Sequence, residues 1–220
     1  MSEHPAVDLV VPVKPLGMAK SRLRGAADRG VGAPEAHARL ALALAHDTVA
    51  AVLAVGRVRR LLVVSSDATV AAELAAAGVE VVPDGPVGGL NAAYAHGAAL
   101  LRGCDPGCAV GALQADLPAL RPEELDAAIG SALAAPGGRA FCADAEGTGT
   151  TFLLAAPWRV LDPRFGAGSA ERHRASGAAE LIGGWPGLRR DVDTPGDLDH
   201  AAAIGLGAHT RAVLVTSPGA

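Results

Sequence analysis

The sequence predicts an α/β fold of the three-layer α/β/α type. A mostly parallel, Rossmann-like sheet is expected, with helices on both faces and a small antiparallel addition. Two observations predict it: apolar runs alternate with helical segments over residues 7–134, and polar residues follow the end of each apolar run. A further observation concerns the composition of the core. Since the chain is 50% hydrophobic but only 3% aromatic, its core is expected to consist of Ala, Val and Leu.

Four apolar runs are predicted to be parallel strands, and each precedes a helix. The predicted strands are residues 7–13, 58–67, 79–84 and 108–118. The predicted helices are residues 34–55, 69–77, 91–102 and 121–134. Sheets of this kind bind ligands beyond the carboxyl ends of their strands, so a functional site is expected at that edge.

The last third of the chain has a less regular pattern. Residues 140–157, "AFCADAEGTGTTFLLAAP", predict two antiparallel strands around a glycine–threonine turn. Residues 165–178 predict a loop that opens a helix. Residues 188–205 predict a strand, a turn and a last helix, with Asp193 or Thr194 as its N-cap.

Length and composition exclude several classes of protein. The chain has 220 residues without a repeat or linker, which predicts one domain over residues 1–210 and a tail over residues 211–220. A net charge of −4 disfavours a general nucleic-acid surface, and no apolar run approaches the roughly 18 residues of a membrane span. No signal peptide is visible. The cysteines, Cys104, Cys108 and Cys142, lack zinc spacing and are interpreted as reduced thiols of a cytoplasmic protein.

The loop after the first strand, "VPVKPLGMAKSRL", is rich in cations. It is not a Walker phosphate loop, because Ala19 stands where that pattern requires a glycine before Lys20. Lys14, Lys20 and Arg22 are instead predicted to meet phosphate oxygens through charge-assisted hydrogen bonds. The alternative for this segment is a solvated basic loop without a ligand.

A carboxylate follows the fourth predicted strand. Asp116, in "LQADLP", is predicted to bind Mg²⁺ opposite the cationic loop, where the ion would bridge the protein and a triphosphate. Asp191 and Asp193, in "DVDTP", are predicted to supply a second metal ligand. For all three residues the alternative is helix capping, and the sequence leaves open which of Asp191 and Asp193 meets the metal.

Short motifs along most of the chain resemble those of a known family. They are "VPVK", "KSRL", "GLNAA", "ADLP", "GTGTT", "FGAGSAERH" and "DVDTPGDL". In this order, the chain from Val10 to about Ala201 resembles the 2-phospholactate/phosphoenolpyruvate guanylyltransferases of coenzyme F420 biosynthesis. That family belongs to the GT-A-like nucleotidyltransferases. "ADLP" and "DTPGDL" occur widely among them, whereas "GTGTT" with "FGAGSAERH" narrows the resemblance to this family.

The resemblance implies a reaction and a set of site residues. The protein would transfer GMP from GTP to the phosphate of a three-carbon acid, with Mg²⁺, and release pyrophosphate. Lys14, Lys20 and Asp116 would be catalytic, with Asp116 binding Mg²⁺. The implied nucleotide contacts are Pro12, Val13, Lys14, Lys20, Arg22, Leu90 and Asn91. The implied contacts of the phosphorylated acid are Thr151, Gly166 and Ser169.

The identity of the acceptor substrate and the alternative functions depend on weaker features of the sequence. The Ala/Arg-rich composition is typical of actinobacteria, for which the resemblance implies phosphoenolpyruvate as the acceptor. 2-Phospholactate remains the alternative acceptor. A molybdenum-cofactor-type nucleotidyltransferase is the alternative enzyme, but its first loop is of the glycine-rich "LAGG" type. A non-catalytic nucleotide-binding protein is the third hypothesis, and the intact Asp116 and "DVDTP" carboxylates argue against it. Whether the chain forms a homodimer stays open.

Overall fold

The computed structural model describes residues 6–17 and 20–215. Residues 18 and 19 of the cationic loop and residues 216–220 of the expected tail lie outside the described residues. The described part contains a seven-stranded sheet with the strand order β3-β2-β1-β4-β6-β5-β7. The strands are β1 (Val7–Pro12), β2 (Val58–Val64), β3 (Glu80–Val82), β4 (Ala109–Leu113), β5 (Arg139–Ala143), β6 (Thr150–Ala155) and β7 (Ala179–Glu180).

The pairing of the strands confirms the predicted fold class. β1 pairs in parallel with both β2 and β4, and β2 pairs in parallel with β3. β6 runs antiparallel to β4 and β5, which is the predicted antiparallel addition, and β7 pairs in parallel with β5. Because β1 and β4 are neighbours in the sheet, their carboxyl ends bring the cationic loop and Asp116 to the same edge.

Helices cover both faces of the sheet, as predicted. They are α1 (Pro34–Leu53), α2 (Ala68–Ala76), α3 (Leu90–Cys104), α4 (Pro122–Ala134), α5 (Ser169–Ala175), α6 (Pro186–Arg189), α7 (Pro195–Ile204) and α8 (Ala208–Val215). Alternate residues of β1 enter opposite halves of the core: Leu9 joins the cluster formed with α1, α2 and α4, and Val10 joins the cluster formed with α3 and α5. Among the described residues, no helix is long and apolar enough to cross a membrane.

Two segments near the carboxyl end differ from the sequence prediction. The strand predicted to begin at residue 188 is absent from the described structure, and the short helix α6 occupies this position. Glu124 of α4 stabilises it by accepting hydrogen bonds from the amides of Gly187 (3.3 Å) and Leu188 (3.0 Å). The second difference is α8, which includes residues 211–215 of the predicted tail. The buried carboxylate of Asp47 in α1 holds its first turn.

Gly97 of α3 allows this helix to pack closely on the sheet. A Cβ at this position would lie 2.5 Å from Val10 Cγ1 and 3.1 Å from Val64 Cγ2. Gly97→Ala is therefore expected to lower the free energy of unfolding by about 1–3 kcal/mol, because β1 and β2 must shift to admit a methyl group.

Gly103→Ala in the same helix is the matched control, since nothing lies within 4 Å of a Cβ added there. This control is expected to be neutral or to stabilise by up to about 1 kcal/mol. Chemical denaturation of both variants makes the measurement. Equal stabilities of the two variants would contradict the close packing of α3.

Candidate functional site

A cavity of about 410 Å³ lies beyond the carboxyl ends of β1 and β4. It is lined by the cationic loop, by α1, by the first residues of α3 and α5 with the loop before α5, and by the segments that follow β4, β5 and α6. Most of the residues singled out from the sequence line it. They are Pro12, Val13, Lys14, Lys20, Leu90, Asp116, Gly166, Ser169, Asp191 and Asp193.

Three residues singled out from the sequence do not line this cavity. Arg22 is exposed in a short 3-10 helix, Ser21–Leu23. Asn91 uses its amide to hold the backbone of Phe165: Nδ2 donates to the carbonyl oxygen (3.1 Å) and Oδ1 accepts from the amide (2.7 Å). Thr151 is fully buried.

The structure brings Thr150, and not Thr151, to the cavity. Thr150 lines the cavity, and its hydroxyl lies 3.1 Å from that of Ser169. The register between β5 and β6 shifts between Cys142 and Ala143, and such a bulge changes which of two adjacent side chains faces a given side. The sequence contains no signal for this shift, so the strand pattern alone does not distinguish the two threonines.

Lys20 is paired with two carboxylates that line the cavity. Its ammonium group forms ion pairs with Asp116 and Asp193. Burial opposes the charge of Lys20, but the two carboxylates outweigh this effect and hold its pKa above the usual value. Lys20 also adopts a left-handed backbone conformation, with φ of 54°, which is uncommon outside glycine.

Neither Asp116 nor Asp193 caps a helix, which was the alternative interpretation of these residues. The N-cap of α4 is Arg121, so Asp116 does not cap it. Thr194 caps α7 in a capping box with Asp197, which leaves the carboxylate of Asp193 to pair with Lys20. The structure thus decides between the two predicted caps of the last helix in favour of Thr194.

A buried threonine of α1 holds the backbone on both sides of Asp116. Thr48 Oγ1 accepts from the amide of Leu117 (2.9 Å), and its hydrogen is shared between the carbonyl oxygens of Ala115 (3.0 Å) and Leu44 (3.0 Å). The amide of Val192 donates to the carbonyl oxygen of Asp116 (3.1 Å), which joins the "DVDTP" segment to the same point. Sequence reasoning missed Thr48, because nothing along the chain connects this helix position with Asp116.

Thr48→Val is expected to lower the free energy of unfolding by about 1–3 kcal/mol, because the amide of Leu117 loses its partner in a buried position. Turnover is also expected to fall several-fold, because Asp116 is no longer held. Ser131→Ala is the matched control: its hydroxyl donates to a helix carbonyl, that of Ala127, at an exposed position of α4. Unfolding and steady-state assays of the two variants make the comparison. Full stability and activity of Thr48→Val would contradict the assignment.

The carboxylates at the cavity fit a divalent cation. Asp116 Oδ1 is buried and has no hydrogen-bond partner among the described residues. Burial, followed by the nearby charge of Asp116, raises the pKa of Asp191 to about 8. Asp144, Glu146 and Asp191 each offer an oxygen atom within 4.8 Å of the others. Carboxylate oxygens are the ligands that hard cations such as Mg²⁺ prefer, and a cation would relieve the mutual repulsion of these groups.

A glycine-rich loop and two hydroxyl groups also line the cavity. Gly166 and Gly168 have φ of 116° and 70°, values that side chains disfavour. Arg172 of α5 holds this loop by donating to the carbonyl oxygens of Arg164 (3.0 Å) and Ala167. The hydroxyl groups of Thr150 and Ser169 lie beside the loop, where they can bind a small anion.

Curated relatives match nearly the whole chain. A phosphoenolpyruvate guanylyltransferase of Geodermatophilus obscurus is 54% identical over 209 residues, which cover 95% of this chain and 94% of that protein. A protein of the same name from Streptomyces coelicolor is 54% identical over 206 residues, covering 93% of this chain and 94% of that protein. No protein-family model matches the chain.

Solved structures support the fold. A protein described as a nucleotide-diphospho-sugar transferase, from Desulfovibrio desulfuricans, superposes with a TM-score of 0.67 at 18% identity, covering 97% of this chain and 99% of that one. Rv0371c of Mycobacterium tuberculosis, in a complex with manganese, superposes with a TM-score of 0.53 at 21% identity, covering 90% and 98%. At these identities the likeness shows a common fold and no more.

Proposed function

Because the chain belongs to the phosphoenolpyruvate guanylyltransferase family, we propose that it transfers GMP from GTP to the phosphate of phosphoenolpyruvate. One structural observation supports this proposal independently of family membership. A single cavity is lined by the cationic loop, by a group of carboxylates, and by a separate group of hydroxyls and glycines. A nucleotide triphosphate, a divalent cation and a second, smaller anion each have a chemically suitable partner there.

The reaction requires two anions to approach each other. An oxygen of the acceptor phosphate attacks the α-phosphorus of GTP, the bond from that phosphorus to the bridging oxygen breaks, and pyrophosphate leaves with the electron pair. Lys14 and Lys20 line the cavity, and we assign them to the triphosphate. Catalysis then consists mainly of positioning and of neutralising charge, and Lys20 performs the second role with a raised pKa that keeps it protonated.

The metal is proposed to be Mg²⁺, held by Asp116 with Asp191 and Asp193. When bound, it would neutralise charge on the phosphates. Asp144 is added to the candidate ligands, because it lines the cavity and forms part of the acidic group with Asp191. The manganese complex of the structurally similar mycobacterial protein is consistent with a divalent cation in this fold.

The acceptor is assigned to the hydroxyl groups and glycines that line the cavity. Ser169 and Gly166 are kept from the sequence prediction, and Thr150 replaces Thr151 because its hydroxyl is the one beside Ser169. Leu90 and the loop residues Pro12 and Val13 are assigned to the nucleoside side. We place the reaction in the cytoplasm and in coenzyme F420 biosynthesis, following the family resemblance.

The test is a direct assay of the purified protein. It is incubated with Mg²⁺ and GTP labelled at the α-phosphate, with phosphoenolpyruvate or 2-phospholactate in separate reactions. Pyrophosphate release and transfer of the label to the acceptor are expected with phosphoenolpyruvate, and a chelator is expected to abolish both. A higher kcat/KM with 2-phospholactate would reassign the acceptor. No product with either acceptor would overturn the proposed function.

A further inference from the structure

A buried histidine lies behind the hydroxyl groups assigned to the acceptor. His173 of α5 is 0% exposed, and its ring contacts those of Phe141 and Phe165 at centroid distances of 5.6 and 5.3 Å. Both of its nitrogens are engaged. Nε2 accepts a hydrogen bond from the backbone amide of Arg164 (3.0 Å), and Nδ1 lies 2.9 Å from Thr150 Oγ1.

The backbone amide of Arg164 decides the tautomer of this ring. An amide N–H can only donate, so Nε2 must be the unprotonated nitrogen and the ring proton of a neutral imidazole lies on Nδ1. Nδ1–H therefore donates to Thr150 Oγ1. The other tautomer would place two N–H groups against each other at Arg164.

The tautomer sets how many hydrogens the hydroxyl pair offers to a ligand. Ser169 Oγ donates to Thr150 Oγ1 (3.1 Å), and Nδ1–H of His173 donates to the same oxygen. The hydroxyl hydrogen of Thr150 then remains for a ligand in the cavity, which Thr150 lines. With the other tautomer Thr150 would donate to Nδ1, and neither hydroxyl hydrogen would be left for the cavity.

We propose that His173 is a positioning residue for the acceptor: held as the Nδ1–H tautomer, it makes the Thr150–Ser169 hydroxyl pair a hydrogen-bond donor to an anionic substrate. The inference rests on the proposed function, which assigns the phosphorylated acid to these hydroxyl groups. At neutral pH carboxylates, and phosphate groups for the most part, accept hydrogen bonds, so a pair that could not donate would bind them poorly.

The surroundings keep the ring neutral. Burial, followed by the positive charges of Arg139 and Arg172, lowers the pKa of His173 to about 4, with Asp162 opposing and Arg164 reinforcing the shift. The neutral form therefore persists at the pH of an ordinary assay. It is this form that leaves Nε2 free to accept from the amide of Arg164.

NMR tests the tautomer without any assumption about activity. The ¹⁵N chemical shifts of the two ring nitrogens distinguish a protonated Nδ1 from a protonated Nε2, and a His173→Leu variant assigns the signals. We expect protonated Nδ1 and bare Nε2 near pH 7. A protonated Nε2, or a doubly protonated ring, would overturn the inference whatever the protein catalyses.

Kinetics of three substitutions test the role. Asparagine places an N–H donor near the position of Nδ1, glutamine reaches the position of Nε2, and leucine supplies neither group. His173→Asn is expected to keep the acceptor KM within about threefold of the wild type. His173→Leu and His173→Gln are expected to raise it about tenfold or more, with the KM for GTP little changed, because one charge-assisted hydrogen bond is lost. His200→Asn, at an exposed position of α7, is the matched control.

A double-mutant cycle separates positioning from a merely structural role. If His173 acts through the hydroxyl of Thr150, His173→Leu should add little to the acceptor KM in a Thr150→Val background. Additive effects would overturn the inference, and so would an unchanged acceptor KM in His173→Leu with an active wild type. A wild type that transfers no GMP would instead overturn the proposed function. Should His173→Leu fail to fold, the asparagine and glutamine variants provide the same comparison.

Discussion

Asp116→Asn is expected to lower kcat by about 1,000-fold or more, which corresponds to about 4 kcal/mol of transition-state stabilisation. The carboxylate of Asp116 lines the cavity, and its buried Oδ1 has no hydrogen-bond partner among the described residues. Thr48 holds the backbone on both sides of Asp116. The amide has nearly the same shape but loses the negative charge, so the proposed metal would be held weakly or out of place.

Asp199→Asn, at an exposed position of α7, is the matched control for the loss of one charge. Circular dichroism and the unfolding midpoint verify that Asp116→Asn is folded, and titration with Mn²⁺ followed by electron paramagnetic resonance measures metal binding. We expect weaker Mn²⁺ binding by Asp116→Asn and none of these effects in Asp199→Asn. Retained turnover in a folded Asp116→Asn protein would refute the metal assignment.

Lys20→Met is expected to lower kcat/KM for GTP by about 100- to 1,000-fold, as is typical for removing one preorganised donor to a charge that develops in the transition state. Lys20 lines the cavity and forms ion pairs with two of its carboxylates, Asp116 and Asp193. Lys20→Arg keeps the charge but not the size of the ammonium group, and an intermediate loss is expected. Steady-state kinetics with varied GTP make the measurement.

Metal dependence of stability separates this role of Lys20 from simple structural damage. Without Lys20 the carboxylates repel one another, so the unfolding temperature of the metal-free variant should fall below that of the wild type, and added Mg²⁺ should recover most of the loss. Arg24→Met, at an exposed position beyond the same loop, is the control for loss of a cation. Kinetic constants of Lys20→Met equal to those of the wild type would contradict the assignment of Lys20 to the triphosphate.

Much of the fold could be predicted because its main signals are local. The first four strands contain short, mostly apolar runs, and helices of ordinary length separate them, so a mostly parallel sheet follows from the chain itself. The errors fell where contacts distant in sequence override the local pattern. Residues 186–189 form a helix against Glu124 of α4, and residues 211–215 continue a helix held by Asp47 of α1.

The amino-acid sequence by itself determined the fold class, the edge of the sheet where the site lies, and the types of residue there, including Lys20 and Asp116. These follow from hydrophobic pattern and from what each strand end carries. Only the tertiary structure decided that Thr150 lines the cavity while Thr151 is buried, that Asn91 holds a loop, and that Thr48 and His173 contact the residues around the cavity. The physical reason is that each of these assignments depends on the register of a strand pair or on hydrogen bonds between separate segments, and neither is encoded in the local pattern of the chain.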